Sequence, residues 1–270
     1  MQLNWRAISE SEPGPIWAGL FHEYWPDYHR WWVREGAEAR PGYWDSVKAL
    51  KAHMPEMMPL YDRFCELAGG TDHAARFLSF YCPPPYLSGC SQAIWPGAEP
   101  MLVRNYDYSP HAFDSLILHT AWQGRRVMGT SDGLWGLVDG INDAGLAVSL
   151  TFGGRRVVGD GFGVPLIATN HQERVEWASH ARFTATVERE RFLLQRLTLH
   201  VEPQEKFIKA FLRPPLYSTA FTQGFGTLYT AVYRPRKQTL EVHWPRARWE
   251  LSLKDFQDGA RQIITPEHAV

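Results

Sequence analysis

Two short stretches decide the fold of this chain: LSGCSQ at residues 87–92 and LVRNYD at residues 102–107. The first places Cys90 directly after Gly89, and the second places Arg104 and Asp107 in and after a strand-like run. Because side chains alternate between the two faces of a strand, Arg104 faces opposite to Val103 and can point inward. The pattern predicts a thiol that has a guanidinium and a carboxylate as neighbours.

The Gly89–Cys90 bond is a candidate site of self-cleavage. The thiolate is the reactive form of cysteine, and a glycine before it leaves the attacked carbonyl sterically open. Attack of Cys90 on that carbonyl gives a thioester, whose hydrolysis leaves Cys90 as a first residue. Its α-amine, with a reference pKa of about 7.7–8.0, can serve as the general base for its own thiol. An inward Arg104 favours the thiolate, and Asp107 can hold the α-ammonium.

The same residues also have a purely structural interpretation. Cys90 can be a buried apolar residue in the first strand of a sheet, while Arg104 and Asp107 form an exposed ion pair of little energetic consequence. Among the other cysteines, Cys82 precedes three prolines and has no evident base nearby, and Cys65 lies at apolar spacing in a predicted helix. Cys90 is therefore the preferred nucleophile.

Composition restricts the class of protein. The chain has 270 residues, 44% of them hydrophobic, and a formal net charge of −1. A charge near zero argues against a nucleic-acid partner or an anionic membrane surface. We expect no membrane span, because no run reaches about 18 apolar residues, and no signal peptide at the N-terminus. Three cysteines are too few for a disulfide scaffold, which favours a reducing cytoplasm.

The chain changes character at residues 82–86, where CPPPY predicts an extended linker. Residues 1–80 are expected to be helical, with Pro26 as a kink or break. Beyond the linker, neighbouring strands joined by short turns favour an antiparallel sheet. We therefore expect an α+β fold with an N-terminal helical segment at residues 1–89 and a catalytic domain at residues 90–270.

Hydrophobic patterns and turn residues locate the individual elements. Strands are predicted at 101–106, 115–122, 126–130, 146–152, 226–233 and 239–244. Turns are predicted at Gln123-Gly124 and at residues 142–145, and a charged helix at residues 187–197. Residues 247–260 are expected to form a last helix or an irregular tail. Asp132 and Trp135-Gly136 are candidates for a pocket wall, with core packing as the alternative.

Four segments, in this order, carry a family resemblance: SGCSQA, LVRNYDY, DGINDAGLAVSLTFGG and ATNHQ. They resemble the bacterial branch of the acyl-coenzyme A:6-aminopenicillanic acid acyltransferase family, from about Ala75 onward. That family belongs, with the choloylglycine hydrolases and penicillin V acylases, to the N-terminal-nucleophile (Ntn) hydrolases. The resemblance implies an αββα sandwich of antiparallel sheets. It also implies acyl transfer from a small-molecule amide or an acyl-CoA-type thioester, without a cofactor or a metal.

The resemblance also implies a role for each site residue. Cys90 corresponds to the nucleophile that cleavage after Gly89 makes the new N-terminus, and Arg104 and Asp107 support it. The side-chain amide of Asn170 and the backbone N–H of Thr151 correspond to the oxyanion hole. His171, beside Asn170, is a candidate for substrate contact, with a structural hydrogen bond as the alternative.

One feature departs from the family pattern. Family members carry a long segment between the strand ending in VPLI and the ATNHQ motif, whereas Ile167 is followed directly by Ala168 here. We expect a truncated sandwich with an uncovered sheet edge or apolar face, which would favour a homo-oligomer. The departure leaves two further hypotheses open. The chain can be a non-catalytic member of the fold that binds a partner, or a hydrolase that uses Cys90 without cleavage, with His171 as the base.

Overall fold

The computed structural model describes residues 2–84, 89–151, 167–170, 178–199, 202–224 and 226–264. The strands in these residues are β1 (Gln2–Glu10), β2 (Gly89–Trp95), β3 (Met101–Tyr108), β4 (Leu116–Thr120), β5 (Val127–Asp132), β6 (Gly136–Asn142), β7 (Ala147–Ser149), β8 (Ile167–Ala168), β9 (Gly226–Arg234), β10 (Thr239–Trp244), β11 (Ala247–Ser252) and β12 (Gly259–Ile264). They form two six-stranded sheets, with the orders β12-β1-β4-β5-β6-β7 and β11-β10-β9-β3-β2-β8.

Helices come before, between and after these strands. The α-helices are α1 (Pro15–Trp32), α2 (Tyr43–His53), α3 (Met58–Leu67), α4 (Asp72–Leu78), α5 (Ala178–Phe183), α6 (Thr186–Leu199) and α7 (Gln204–Ala210). Short 3-10 turns occur at Ala37–Ala39, Pro55–Met57, Pro110–Ala112 and Phe221–Gln223. No helix in the described part of the chain is long and apolar enough to cross a membrane.

The two sheets share one hydrophobic core. Ile117 of the first sheet and Tyr106 and Tyr229 of the second belong to the same buried cluster, as does Trp5 of β1. Side chains on one face of a strand recur every second residue, so these positions define the inner faces of the sheets. Cys90 belongs to this cluster and is 1% exposed.

The outer faces of both sheets are covered by helices. Leu116 and Leu118, which flank Ile117, pack with buried residues of α1, α2, α3 and α4. Met101 and Val103 of β3 pack with buried residues of α6 and α7. The layers are therefore helices, sheet, sheet and helices, and the α+β class expected from the sequence is confirmed.

Several expectations from the sequence are wrong at the ends of the chain. Residues 2–10 form β1 rather than helix, because Leu3, Trp5 and Ala7 are buried at every second position. The region expected to be a last helix or tail instead contributes β11 and β12, which pair with β10 and β1. Of the kink or break expected at Pro26, the break is wrong, because helix α1 continues through this residue. The first sheet is also mixed, since β1 runs parallel to β4, whereas the described pairings of the second sheet are all antiparallel.

Both predicted turns are confirmed. Gly124 has a φ of +72° between β4 and β5, a value that glycine adopts without strain. At the second turn, Asn142 Oδ1 accepts hydrogen bonds from the backbone N–H groups of Ala144 and Leu146, and Gly145 has a φ of +80°. These turns fix the β4-β5 and β6-β7 hairpins, and the second one determines where β7 begins.

Ile167 and Ala168, where the family pattern is interrupted, form a short strand at the edge of the second sheet. Ala168 pairs with Gln92, and Ile167 pairs with Ala93. This pairing brings Asn170 to the β2 end of the sheet. At the edge of the other sheet, Leu146 and Val148 are exposed, as expected for an uncovered edge.

We predict that Trp5→Ala lowers the free energy of unfolding by about 3–5 kcal/mol, because Trp5 is fully buried between the sheets against Tyr229 and Trp244. Trp44→Ala is the matched control. Trp44 is 80% exposed, so its replacement should change the stability by about 0.5 kcal/mol or less. Urea unfolding of both variants measures the difference. Equal effects would contradict the placement of β1 in the sandwich.

Candidate active site

The pairing of β2 with β3 brings Cys90 and Arg104 together. Cys90 lies opposite Tyr106, and Gln92 lies opposite Arg104, so all four side chains share the inner face of the sheet. The Nη2 atom of Arg104 lies 3.3 Å from Cys90 Sγ, within hydrogen-bond distance for sulfur. Arg104 points inward, as strand alternation predicts, and is 1% exposed. The interpretation as an exposed ion pair is therefore wrong for this residue.

A buried carboxylate on the opposite sheet holds Arg104. Its Nη1 atom lies 3.2 Å from Asp139 Oδ2 and 3.2 Å from Ser149 Oγ, and it donates to the backbone carbonyl of Val138. Burial acts to lower the pKa of Arg104, but the charges of Cys90, Asp139 and neighbouring groups outweigh it and raise the pKa above its ordinary value. The guanidinium beside the sulfur therefore stays charged.

A β-bulge in the first sheet lies at this contact. Thr130 pairs with Asp139 and Ser131 pairs with Leu137, so Val138 is the extra residue. Bulges re-aim backbone groups locally and often lie beside active sites. Here Val138 is the bulged residue, and its backbone carbonyl accepts a hydrogen bond from Arg104 of the facing sheet.

The backbone of Cys90 is held by Asn170. The N–H of Cys90 donates to Asn170 Oδ1 at 2.7 Å, and both residues are buried. The backbone N–H of Asn170 in turn donates to Thr186 Oγ1 at 2.7 Å, at the start of α6. Asn170 thus lies beside Cys90 even though Ile167 is joined directly to Ala168.

A second arginine, Arg189, completes the contacts around Cys90. Its Nη1 atom donates to Cys90 O at 2.5 Å and to Ser91 Oγ at 2.7 Å. Its Nη2 atom donates to Asn170 Oδ1 at 2.7 Å. Burial lowers the pKa of Arg189, against an opposing effect from Asp107. One guanidinium therefore connects the carbonyl of Cys90 to the asparagine that accepts from the Cys90 nitrogen.

The sequence alone did not single out Arg189, although its pattern contains a signal. The segment was interpreted as a charged helix, yet Leu193 and Leu197 are buried, and Arg189 precedes Leu193 by one helical repeat. Positions four apart lie on the same face of a helix. An arginine on that buried face indicates a functional or structural partner inside the protein.

Asp107 lies at the end of β3, opposite Gly89. Its Oδ1 atom accepts from Thr227 Oγ1 at 2.6 Å, and its Oδ2 atom lies 3.9 Å from Arg189 Nη1. Burial raises the pKa of Asp107 to about 6, although Arg189, Thr227 and Arg104 act to lower it. Asp107 is 2% exposed, so the interpretation of Arg104 and Asp107 as an exposed ion pair is wrong for this residue too.

The remaining candidates are located as follows. Gly89 begins β2, and Thr151 follows Ser149 by two positions at the end of a described stretch. Thr151 Oγ1 is buried without a hydrogen-bond partner among the described residues. His171 lies outside the described residues. Cys82 is exposed and Cys65 is half-buried in α3.

No group of three or more histidine, cysteine, aspartate or glutamate side chains within the described ranges is placed to hold a metal ion.

A cavity of about 420 Å³ adjoins these residues. Val138, whose carbonyl accepts from Arg104, lines it, and so does Asp132, whose Oδ2 atom accepts from Tyr106 Oη at 3.2 Å. Cys90 itself is not among the lining residues. Asp132 and Gly136 therefore form part of a pocket wall, as one interpretation of the sequence predicts. Trp135, by contrast, packs in the core with the N-terminal helices.

Comparison with known proteins finds a match to a family model over part of the chain. The model of a family described as acyl-coenzyme A:6-aminopenicillanic acid acyl-transferase matches residues 95–168. A search of curated proteins finds no match to the chain. The matched stretch contains Arg104, Asp107 and Thr151, whereas Cys90 and Asn170 lie just outside it. The match supports an acyltransferase or amide hydrolase function in general. Over residues 95–168, it confirms the resemblance to the acyl-coenzyme A:6-aminopenicillanic acid acyltransferase family that the sequence motifs predict.

Proposed function

We propose that this protein is an N-terminal-cysteine amide hydrolase or acyltransferase, with an Ntn-type αββα fold, that releases its own nucleophile by cleaving the Gly89–Cys90 bond. One observation carries the proposal. The sulfur, the nitrogen and the carbonyl oxygen of Cys90 are each held by a different buried polar side chain, those of Arg104, Asn170 and Arg189. A cysteine that only fills the core also needs partners for its backbone N–H and C=O, but it has no need of a buried guanidinium beside its sulfur.

The cleavage step uses the groups around Cys90. The thiol loses its proton, and the sulfur, beside Arg104, attacks the carbonyl carbon of Gly89. The C–N bond between the two residues breaks and the nitrogen takes up a proton, which gives a thioester and a free amine. Water then hydrolyses the thioester to the Gly89 carboxylate and the Cys90 thiol. Arg189 and Asn170 hold the backbone of Cys90 on either side of the reacting atoms.

Catalysis repeats the same chemistry on an external substrate. The α-amine of Cys90 accepts the thiol proton, and the sulfur attacks the carbonyl of an amide or an acyl thioester. The resulting oxyanion receives hydrogen bonds from the Nδ2 atom of Asn170 and the backbone N–H of Thr151. Collapse expels the leaving group, which takes the proton back from the α-ammonium. The acyl-enzyme then transfers its acyl group to water or to an acceptor amine.

Asn170 has two functions in this scheme. Its Oδ1 atom already accepts from Cys90 N and from Arg189, so this oxygen is oriented as an acceptor. The amide group is planar, so its Nδ2 atom points away from these donors, and in the proposed scheme this atom donates to the oxyanion. A preorganised donor of this kind contributes about 10²–10³-fold in rate.

A non-catalytic binding protein is the second candidate function. It is favoured by the 1% exposure of Cys90 and by the exposed apolar side chains Leu146 and Val148 beside β7. This alternative requires an intact chain with no acyl-transfer activity.

Mass spectrometry of the purified protein tests the proposal directly. We expect two fragments, residues 1–89 and 90–270, and a single intact chain for Cys90→Ala. Cys65→Ala removes a thiol from helix α3 instead and should be cleaved like the wild type. An intact wild-type chain that is as inactive as Cys90→Ala toward amides and acyl thioesters would support the binding protein instead.

The role of Arg189 predicts a loss of cleavage when its contacts are removed. We expect Arg189→Gln to slow cleavage about 100-fold, since the carbonyl of Cys90 and Oδ1 of Asn170 lose a shared donor. Arg191→Gln changes an exposed arginine of the same helix and should stay within about twofold of the wild type. Circular dichroism checks that both variants fold. Similar cleavage rates in the two variants would show that Arg189 serves only packing.

The raised pKa of Asp107 predicts a pH dependence for cleavage. The ionised carboxylate is the counter-ion of Arg189 and exists above its pKa of about 6, so cleavage should slow as the pH falls through 6. A photocaged cysteine at position 90 allows light to start the reaction at each pH. Asp62→Asn, at an exposed site, should keep this profile, and Asp107→Asn should lose it. A profile that stays flat between pH 7 and pH 5 would refute this role.

A further inference from the structure

The cavity beside the candidate active site combines two properties that together point to one class of ligand. Nine of its twenty described lining residues are phenylalanine, tyrosine or tryptophan, among them Tyr28, Trp31, Trp32, Phe77, Phe80 and Phe113. Two carboxylates, Asp114 and Asp132, lie in the same wall. None of the described lining residues is a lysine or an arginine.

The two carboxylates are held by hydroxyl groups and by the backbone N–H groups of Leu134 and Gly133 instead of cations. Tyr28 Oη donates to Asp114 Oδ1 at 2.5 Å, and Ser131 Oγ donates to Asp114 Oδ2 at 3.3 Å. Tyr106 Oη donates to Asp132 Oδ2 at 3.2 Å. Neither carboxylate forms an ion pair with a described basic side chain. Asp114 is 4% exposed, so its negative charge is largely withdrawn from water.

Other charged groups near the cavity do not neutralise this pair. Asp27 lies at the rim, where it is exposed and paired with Arg30. His111 also lines the cavity and is exposed. The positive charge of Arg104 acts on Asp132 from behind the wall, but Arg104 is itself engaged with Asp139.

We propose that this cavity binds an organic ammonium group, and that the amide or thioester substrate of the enzyme carries one. Aromatic faces attract ammonium ions through the ring quadrupole, and a buried carboxylate gains most from a counter-cation. Burial and the neighbouring Asp132 raise the pKa of Asp114 to about 7, as expected for an acid pair with no cation beside it. The assignment to the substrate rests on the proposed function, whereas the binding of an ammonium does not.

The position of the cavity relative to Cys90 supports the assignment of the cavity as a substrate subsite of the same active site. Cys90 lies opposite Tyr106 in the β2-β3 pair, and Tyr106 donates to Asp132 in the cavity wall. Arg104 donates to both Cys90 Sγ and the carbonyl of Val138, which also lines the cavity. On each route one side chain, that of Tyr106 or that of Arg104, lies between the sulfur and the cavity wall, so the cavity adjoins the surroundings of Cys90.

Calorimetry with three probes of similar size tests the proposal in the wild-type chain. At pH 8 we expect 2-phenylethylammonium to bind about tenfold more tightly than neutral 2-phenylethanol, and phenylacetate to bind most weakly. Asp132→Asn and Asp114→Asn should each lower the affinity for the ammonium about tenfold while leaving 2-phenylethanol within about twofold. The neutral probe thus reports whether the cavity of each variant is intact.

Asp62→Asn removes an exposed carboxylate on α3 and should leave all three affinities unchanged. Equal binding of the three probes, tighter binding of phenylacetate, or an ammonium preference that survives both substitutions would overturn the proposal. In the active enzyme, 2-phenylethylammonium should inhibit amide hydrolysis competitively, and non-competitive inhibition would refute the assignment to the substrate. If no substrate is hydrolysed at all, the proposed function fails while calorimetry still decides what the cavity binds.

Discussion

The structure depends on one buried ion pair that crosses the interface between the two sheets. Arg104 comes from β3 of the second sheet and Asp139 from β6 of the first, and both are about 1% exposed. Asp139 also accepts hydrogen bonds from Tyr229 and Tyr233, so neither charge lies unpartnered in the core. The removal of one partner from such a pair costs about 3–5 kcal/mol, because the other charge is left uncompensated. The pair therefore fixes how the sheets face each other. It also holds the guanidinium of Arg104 in place, so that Nη2 lies within hydrogen-bond distance of Cys90 Sγ.

The second arginine extends this arrangement into the helical layer. Arg189 projects from α6 through the outer face of the second sheet to Cys90 O, while Arg104 approaches Cys90 from the opposite side of the strand. Each guanidinium presents several donors in a fixed plane, so it can position neighbouring acceptors with little loss of side-chain freedom. Asp107 and Asp139 supply one carboxylate for each arginine. The charges at Cys90 are thus balanced within the protein, which allows a polar centre to exist in a hydrophobic core.

Local sequence was sufficient for the parts of this structure that depend on near neighbours. The alternation around LVRNYD predicts an inward Arg104, and both glycine turns follow from their own residues. The parts that depend on distant partners could not be predicted from local sequence, although the family resemblance implies that Asn170 acts with Cys90. Strand β1 forms because β4 and β12 flank it, and β12 lies at the other end of the chain. Asn170 meets Cys90 because Ala168 pairs with Gln92, and Arg189 does so because α6 packs on the second sheet. The partner in each of these pairings lies far away in the sequence, so no single short stretch identifies it.

Burial divides the acids of this region into two groups, and the division separates the reacting centre from the cavity. Asp107 and Asp139 each lie within 4 Å of an arginine, so the protein supplies their counter-ions. Asp114 and Asp132 have hydroxyl donors alone among the described side chains, and burial raises the pKa of both. Hydroxyl donors stabilise a carboxylate less than a guanidinium does, so this second pair retains unmet negative charge on the cavity side. A fold that needed these acids only for packing would gain by replacing them with apolar residues, because an unpaired buried carboxylate is costly. Asp114 and Asp132 lie in an aromatic wall next to Val138 and Tyr106. A cation that enters the cavity would pair with these carboxylates, and the free energy lost by burying them unpaired would then contribute to binding.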